Sequence, residues 1–397
     1  MSSDRSSLRR SEIAVIGTGQ SAYARDLRAS TPDLVFSTVN TALADAGITM
    51  ADVDLVVGGF APDGLAGEGS PDKSFLPAAG SVGRASFRVN TGGATGIGAA
   101  FSAMEMLEGG MGDVAVVVAA ERMAQAVTVP AIFNSIFDPV YERDTGLSTL
   151  SMCAMRATRM MKLWGYTREQ WASVSVRNYA HALRNPYAQI RKEITVEDAL
   201  NSRMLVWPIA QYDACPISEG VCVVVIARGE AIGRAARPVA WVRGRGSTSD
   251  TYEMGDRIGR PEGDLVELTT LRRSADRAYA DAGISSAHDA QVVEIHSPFS
   301  SAETMAYMPL RLCAAADGPE LVSSGFGAWG SKTVLQPSGG PQTANPVGAT
   351  ALVRLAECAE QVRGTAGERQ VPGTRIAIAT GQGGASQFST CTVLAAS

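Results

Sequence analysis

The chain has 397 residues, of which 45% are hydrophobic and 19% are charged, and its formal net charge is −5. This composition is typical of a globular protein with a large core, and the negative charge argues against nucleic acid or an anionic membrane as the main partner. The longest aliphatic runs, residues 114–120 and 221–227, fall far short of the roughly 20 residues that span a bilayer. We therefore interpret them as buried strands and predict no membrane span.

The amino-terminal residues are polar and carry no apolar signal segment. A cytoplasmic protein with reduced thiols is therefore expected. The chain contains three histidines and six cysteines, none of them in a CxxC pair. No metal site is predicted, because structural zinc sites draw on closely spaced cysteine and histidine ligands.

Residues 12–17 form a β-rich run that leads into GTGQSA, an arrangement similar to a dinucleotide-binding fingerprint. The third glycine position is occupied by Ala22, and residues 33–46 have a helical pattern where a second strand would be needed. A nucleotide site is therefore not expected here. The helix is predicted to end at Gly47, a favourable C-cap, and to be followed by a strand over residues 53–58.

The stretch VNTGGATGIGAAFSAMEML, residues 89–107, begins with a glycine-rich turn and continues as a helix. Apolar side chains recur at near-helical spacing, at Ile97, Phe101, Met104 and Leu107. The small residues Gly92 and Gly93 allow close approach to backbone N–H groups at the start of the helix. Turns of this kind can hold an oxyanion, although a packed helix with a tight leading turn explains the same pattern.

Two segments of the first half recur in the second half. ADAGI occurs at residues 44–48 and 280–284 with similar flanks, and GATG at 93–96 corresponds to GATA at 348–351. Such recurrence indicates an internal duplication. It predicts two β/α halves with mainly parallel sheets covered by helices. We place the first half at residues 1–123 plus 211–235 and the second at 236–397.

The segment between the halves, residues 124–210, fits neither of them. It is predicted to contain a helix over residues 150–164, a second starting at Thr167 and a third starting near Thr195. Thr167 and Gln170 have the spacing of a capping box. We interpret the segment as a helical lid.

Eight motifs, in order along essentially the whole chain, resemble the thiolase superfamily, in the branch that contains the thiolase domain of sterol carrier protein x and the lipid-transfer-protein-like thiolases. They are VNTGGATG (89–96), GMGDVAVVVAAERM (110–123), NPYAQ (185–189), CPISEG (215–220), EIHSPF (294–299), PSGG (337–340), NPVGATA (345–351) and GQGGASQFSTCTVL (381–394). The resemblance implies a five-layered α/β/α/β/α fold of two duplicated halves and a homodimer. It also implies a coenzyme A thioester as substrate, no bound cofactor, and a small OB-fold/zinc-ribbon partner protein.

The family's catalytic residues correspond only in part to this chain. The nucleophilic cysteine of the first loop corresponds to Gly93, and the second cysteine to Thr380 or Gly381. The activating histidine corresponds to Asn345, whereas the histidine of the branch's EVHDCF-like motif is retained as His296. The resemblance therefore implies a site that can stabilise an oxyanion but lacks the thiolate needed for an acyl-enzyme.

Three functions remain open on the sequence. The first is retro-aldol cleavage of a β-hydroxyacyl-CoA, with Tyr252 in SDTYEM as base, by similarity to a tyrosine-bearing segment of related aldolases. No counterpart of their second tyrosine is found, and Tyr252 also fits a loop near the coenzyme A channel. The second is an acyltransferase with another nucleophile, for which Cys215 and Cys391 lie nearest the motifs. The third is a non-catalytic acyl-CoA-binding subunit of an assembly with the OB-fold partner.

Coenzyme A contacts are predicted in the segment that opens the second half. Arg243 and Arg245 are candidates for the phosphates, and Ser247 lies near the position where the family contacts pantetheine. Solvated surface arginines are the alternative interpretation. The insertion is rich in methionine, tryptophan and phenylalanine, so it is expected to line an apolar acyl pocket.

Overall fold

A computed structural model describes residues 12–60, 62–67, 69–126, 128–260 and 263–396. The first half contains β1 (Ile13–Gln20), α1 (Thr31–Ala46), β2 (Leu55–Gly59), α2 (Asp72–Ala78), β3 (Ala85–Val89), α3 (Thr95–Glu108) and β4 (Val114–Arg122). The segment predicted to be an insertion then contributes α4 (Val129–Asn134), α5 (Thr149–Trp164), α6 (Arg168–Ala182), α7 (Val196–Asn201), β5 (Met204–Val206) and β6 (Ile209–Ala210).

The chain returns to the first half with β7 (Glu219–Arg228). The second half contains β8 (Ala240–Ser249), α8 (Thr269–Ala282), β9 (Val292–Glu294), α9 (Ser300–Met305), α10 (Gly318–Ser323), β10 (Val334–Leu335), α11 (Val347–Arg363), β11 (Ile376–Gly383) and β12 (Phe388–Ala395).

The main sheet has the same strand order in both halves. Its ten strands run β10-β9-β11-β12-β8-β1-β7-β4-β2-β3, so β8, β12, β11, β9 and β10 occupy the places of β1, β7, β4, β2 and β3. The halves join where Ala14 and Val15 pair with Trp241 and Ala240. The mixed sheet and its helices form the predicted thiolase-like α/β fold.

The prediction of mainly parallel sheets was wrong. In the ten-stranded sheet of the described residues, β2 pairs in parallel with β3 and β4, and β9 with β10 and β11, while the other five pairings of this sheet are antiparallel. A short turn joins β11 to β12, and a short turn can connect only antiparallel neighbours. Strand β7 follows the long insertion, whose length leaves the direction of the next strand free.

The repeated ADAGI sequence specifies the same helix ending twice. Helices α1 and α8 end at Gly47 and Gly283, whose φ angles are 75° and 70°. This left-handed conformation costs glycine little because it has no Cβ atom. A buried strand, β2 or β9, follows each cap after a short loop, as the sequence predicts.

Helices α3 and α11 pack against each other between the halves. From Gly348 to its last residue, every residue of α11 is buried. A Cβ atom at Gly96 would lie 2.3 Å from the Leu352 nitrogen, so the absence of a side chain allows the helix backbones to approach closely. A Cβ at Gly381 on β11 would lie 3.2 Å from the Ala351 Cβ and 3.4 Å from the Ala94 Cα. The amino-terminal ends of α3 and α11 therefore both pack against the end of β11.

The helices of the insertion begin where the sequence predicts. Thr167 accepts a hydrogen bond from the Gln170 backbone, and the Gln170 side chain accepts one from the Thr167 backbone, so the capping box is confirmed. Thr195 caps α7 in the same way with Asp198. None of the helices in the described ranges is long and apolar enough to cross a membrane.

Candidate active site

The glycine turn before α3 faces His296, in the loop after β9, and Gln382, at the end of β11. If Gly93 had a Cβ atom, it would lie 2.5 Å from the Gln382 carbonyl oxygen and 2.9 Å and 3.3 Å from His296 Cε1 and Nε2. Real Cβ atoms do not approach a backbone oxygen this closely, so the present backbone admits only glycine at position 93. The structure thus brings together two of the predicted site residues, Gly93 and His296.

The hydrogen bonds of this turn leave fewer N–H groups available to an oxyanion than the sequence predicts. The N–H of Thr91 donates to the Thr95 hydroxyl at 2.9 Å, and that of Gly92 donates to the Asn90 side chain at 3.0 Å. The N–H groups of Ala94 and Thr95 donate to carbonyls of the same turn. Four N–H groups are therefore used internally, because a tight turn needs these bonds to hold its shape.

His296 is buried, and its ring presents a hydrogen-bond donor to the space beside Gly93. The backbone N–H of Gln382 donates to His296 Nδ1 at 3.2 Å. Since Nδ1 accepts, Nε2 carries the proton of the neutral ring. Burial and, to a smaller extent, the Arg354 charge together lower the pKa of His296 to about 3. Near neutral pH His296 is therefore a donor through Nε2–H and cannot act as a base there.

Gln336 binds the residues on both sides of His296, through the Ile295 backbone and the Ser297 side chain. The Ile295 N–H donates to Gln336 Oε1 at 3.1 Å, and Gln336 Nε2 donates to the Ile295 carbonyl at 2.7 Å and to the Ser297 hydroxyl at 2.9 Å. Gln336 is fully buried and has a φ of 53°, a conformation that non-glycine residues rarely adopt. Such strain is maintained where surrounding contacts require it. Sequence reasoning missed this residue, which lies directly before the PSGG motif.

Asn345 lies beside Cys215, next to the His296 loop. Asn345 Nδ2 is 3.1 Å from Cys215 Sγ, and Asn345 Oδ1 accepts a hydrogen bond from the Thr350 hydroxyl at 2.7 Å. The Cys215 N–H donates to the Pro298 carbonyl at 2.8 Å. Two residues named separately from the sequence, Asn345 and Cys215, are therefore in contact.

Neither cysteine considered for the acyltransferase is an activated thiolate. Burial raises the pKa of Cys215 to about 12, although the Asn345 hydrogen bond opposes this shift. Burial likewise raises the pKa of Cys391, which lies fully buried on β12 within the core that includes α8. A thiol with such a raised pKa is almost entirely protonated at neutral pH and is a weak nucleophile.

Comparison with known proteins agrees with the fold and the motifs. The family "Thiolase, N-terminal domain" matches residues 13–230, and "Thiolase C-terminal domain-like" matches residues 257–396. The chain belongs to the thiolase family.

Three relatives of this thiolase-family chain show how far the similarity extends. It is 28% identical to sterol carrier protein 2 of Gallus gallus over 92% of this chain and 68% of that protein. It is 29% identical to the acetyl-CoA acetyltransferase of Methanothermobacter thermautotrophicus over 94% and 96% of the two chains. The solved structure of the "Ltp2-ChsH2(DUF35) aldolase" superposes with a TM-score of 0.83 at 23% identity, covering 97% of this chain and 98% of that one. At this level of identity, the similarity to the aldolase structure shows only that the two chains share a fold.

Tyr252 lies apart from the residues gathered around Gly93. Its side chain is 41% exposed in the loop after β8. Burial and then the charge of Asp138 raise the pKa of Tyr252, and Arg143 opposes the shift. Tyr252 therefore lies near the segment around residues 138–143 of the insertion. No contact in the described ranges joins it to His296, Gly93 or Asn345.

The structure distinguishes the three candidates for coenzyme A contacts. Arg245 is buried and forms ion pairs with Glu105 at 3.0 Å and with Glu108. Its charge is thus neutralised by α3, and the prediction of a phosphate contact is not supported by its position. Arg243 is exposed, with its guanidinium 5.2 Å from the Trp241 ring centre. Ser247 is exposed on β8.

Ser247 is the candidate closest to the glycine turn. It pairs with Thr390 on β12, and Thr390 pairs with Gly381 on β11. Two strand spacings, about 10 Å, therefore separate Ser247 from Gly381. A Cβ at Gly381 would contact the Thr390 hydroxyl and the start of α3. Because paired residues point to the same face, Ser247 lies on the face of the sheet that carries α3.

The titratable groups of the described residues form no cluster suited to a metal ion. No group of three or more histidine, cysteine, aspartate or glutamate side chains in these ranges has metal-binding geometry.

Proposed function

We propose that the protein binds acyl-CoA thioesters and catalyses aldol-type cleavage or formation of a C–C bond without an acyl-enzyme. One observation carries this proposal: the Nε2–H group of His296 faces Gly93, where there is neither a thiol nor space for one. The coarser assignment, a thiolase-like protein, rests on the family match. The resemblance further implies that the family's nucleophile is replaced by Gly93.

The Nε2–H donor of His296 is suited to stabilise a thioester enolate. In the cleavage direction, a base removes the β-hydroxyl proton, the Cα–Cβ bond breaks, and its electrons move into the thioester as an enolate. The β-carbon leaves as a ketone or aldehyde, and protonation of Cα gives the shortened acyl-CoA. His296 Nε2–H would donate to the thioester oxygen, on which the negative charge develops. A fixed donor in a water-poor site stabilises such charge effectively.

Tyr252 is our candidate for the base, on the strength of the sequence resemblance. Among the described residues it makes no contact with Gly93 or His296, so the assignment rests on the resemblance alone. Its raised pKa works against this role in the unliganded form. Replacement by phenylalanine tests the assignment separately, since full turnover by Tyr252→Phe would remove Tyr252 from the mechanism and leave the reaction type unaffected.

The reaction can be tested with a panel of β-hydroxyacyl-CoA thioesters of graded chain length. We expect release of a ketone or aldehyde together with a shortened acyl-CoA, detected by mass spectrometry. His296→Leu is the matched variant, because it keeps an uncharged side chain of related size but has no hydrogen-bond donor, and it should lower turnover. Absence of turnover across the panel, with and without an added OB-fold partner, would refute the proposal.

Two alternatives predict different results. A thiolase-type acyltransferase is favoured by the name of the Methanothermobacter relative and by the contact of Cys215 with Asn345. It predicts a stable acyl adduct that Cys215→Ser abolishes. A non-catalytic binding subunit predicts acyl-CoA binding without turnover.

We further propose that the protein is a homodimer that can associate with a small OB-fold/zinc-ribbon protein, as the resemblance implies. The structurally similar aldolase carries a DUF35 component in its name, which supports the search for such a partner. Light scattering of the purified protein tests the dimer, and co-purification with a co-expressed candidate tests the association.

A further inference from the structure

Two buried arginines converge on the turn between β11 and β12. Arg156 of α5 donates to the Ala385 carbonyl at 2.7 Å and to the Ser386 hydroxyl at 3.0 Å. Arg257, in the loop after β8, donates to the same carbonyl at 2.7 Å. Each arginine is only 5% exposed. Ser386 has a φ of 62°, so the backbone that receives these bonds is held in a conformation unusual for serine.

These two arginines differ from the other buried arginines of the described chain. Each of the others forms an ion pair with a carboxylate: Arg122 with Glu219, Arg245 with Glu108, Arg354 with Glu294, Arg363 with Asp45 and Arg369 with Glu357. Within the same ranges, no ion pair involves Arg156 or Arg257. The charges of Asp250, Glu142 and Asp256 act on Arg257 without forming an ion pair with it, and Asp250 is itself paired with Arg260 at 3.2 Å.

Several guanidinium nitrogens of the pair also lack hydrogen-bond partners. In the described part of the chain, Arg156 Nε and Arg257 Nε and Nη2 are buried without an acceptor. Burial lowers the pKa of Arg156 to about 10, and the Arg257 charge contributes to this shift. Burying a charge without a counter-ion is costly. The pair is therefore well suited to receive an anion.

The pair lies close to the candidate active site. A Cβ at Gly92 would lie 2.8 Å from the nitrogen of Gly384. Ala385, which accepts from both arginines, is the next residue, so the guanidinium groups lie on the order of 10 Å from the glycine turn. A void of about 10 Å³ borders Arg156 between α5 and α9, and α9 begins shortly after His296.

We propose that Arg156 and Arg257 form a carboxylate-binding subsite that selects thioesters whose acyl chain carries a second, free carboxylate. The inference rests on the proposed function in that it takes acyl-CoA as the ligand. Two guanidinium groups supply planar donor pairs that match the two oxygens of a carboxylate. The void holds about one water molecule and is lined by Arg156 but not by Arg257, so a carboxylate reaches both guanidinium groups only when neighbouring side chains move.

Matched pairs of non-reacting thioesters test the subsite by isothermal titration calorimetry. Glutaryl-CoA is compared with pentanoyl-CoA, and adipoyl-CoA with hexanoyl-CoA, because each pair has the same chain length and differs in the terminal carboxylate. We expect one or both dicarboxylate-derived thioesters to bind about 10- to 100-fold more tightly, as charge-assisted hydrogen bonds predict. Arg156→Met and Arg257→Met should each reduce this ratio to near one.

Two further variants make the test specific. Arg257→Lys keeps the charge and loses the planar donor pair, so it should retain part of the preference, and it replaces Arg257→Met if that variant fails to fold. Arg28→Met removes a charge from a side chain that is 91% exposed and should leave the ratio unchanged.

Equal dissociation constants within both pairs for the unmodified protein would overturn the subsite while leaving the proposed function intact. A preference that survives in both methionine variants would also overturn it. A third outcome would be equal dissociation constants within each thioester pair together with loss of OB-fold partner binding in Arg257→Met. It would show that the arginines bind a carboxylate of the partner, which likewise contradicts a substrate subsite. Failure of all four thioesters to bind would instead refute the proposed function.

Discussion

Substitution of Gly93 by alanine should damage the site more than the size of one methyl group suggests. The added carbon would lie 2.5 Å from the Gln382 carbonyl oxygen and 2.9 Å from His296 Cε1. Neither neighbour can yield independently, because the Gln382 N–H also holds the His296 ring through Nδ1. We therefore expect β11 and the ring to separate.

The cost can be estimated from two contributions. Overpacking by one carbon typically destabilises a protein by about 1–3 kcal/mol, and weakening one hydrogen bond adds about 1 kcal/mol. Gly93→Ala should therefore lower the free energy of unfolding by about 2–4 kcal/mol. It should also weaken acyl-CoA binding, because the methyl group occupies the space in front of Nε2.

Gly96→Ala is the matched control for this experiment. Its Cβ would lie 2.3 Å from the Leu352 nitrogen, in the packing between α3 and α11. We expect comparable destabilisation in urea unfolding. Calorimetry at a temperature where both variants are folded should show weaker acyl-CoA binding only for Gly93→Ala. Unchanged stability and affinity of Gly93→Ala would refute the assignment of Gly93 and His296 to one site.

Three further predictions concern the surroundings of this site. The pKa of His296 is lowered from 6.5 to about 3, so the unfolded chain binds a proton more readily than the folded protein, and stability is lost as the pH falls from 6.5 toward 3, by on the order of 1 kcal/mol per pH unit. His296→Gln lacks this group, so its free energy of unfolding should fall less steeply between pH 6.5 and 4.5. Equal slopes of unfolding free energy against pH for the two proteins would contradict the buried neutral ring. Arg245→Met should lower the free energy of unfolding by about 1–3 kcal/mol through loss of the Glu108 ion pair without changing coenzyme A affinity. A clear loss of affinity would instead support the prediction that Arg245 contacts a phosphate. Gln336→Leu should lower the free energy of unfolding by about 1–3 kcal/mol and weaken acyl-CoA binding. Gln336→Asn keeps an amide, so it should lose less stability and less affinity than Gln336→Leu. If Gln336→Leu is less stable but binds acyl-CoA with full affinity, Gln336 does not position His296.

The helix boundaries illustrate what a sequence specifies locally. Thr167 and Gln170 cap α6, and Gly47 and Gly283 end α1 and α8, as predicted, because each of these features depends on residues within a few positions of one another. The direction of the strands was not predictable in this way. Strand β7 pairs with β1 and β4, which lie before the long insertion, so its orientation depends on contacts between distant segments.

The motifs located the candidate site but not the state of its residues. His296 and Gly93 were named from the sequence and were found side by side. The proton on His296 Nε2 follows from the Gln382 N–H, which belongs to another strand. Likewise, Arg245 resembled a free surface cation until the structure showed its ion pair with Glu108.

The sequence by itself therefore determined the family, the repeated halves and the helix caps. These features depend on residues that are contiguous in the sequence and on the order of the motifs along the chain. Only the tertiary structure decided which donor His296 presents, that Arg245 is neutralised by Glu108, and that Arg156 and Arg257 share the Ala385 carbonyl without an ion pair in the described ranges. The physical reason is that burial and charge pairing depend on neighbours that are about a hundred residues or more away in the chain, and folding alone brings them within hydrogen-bonding distance.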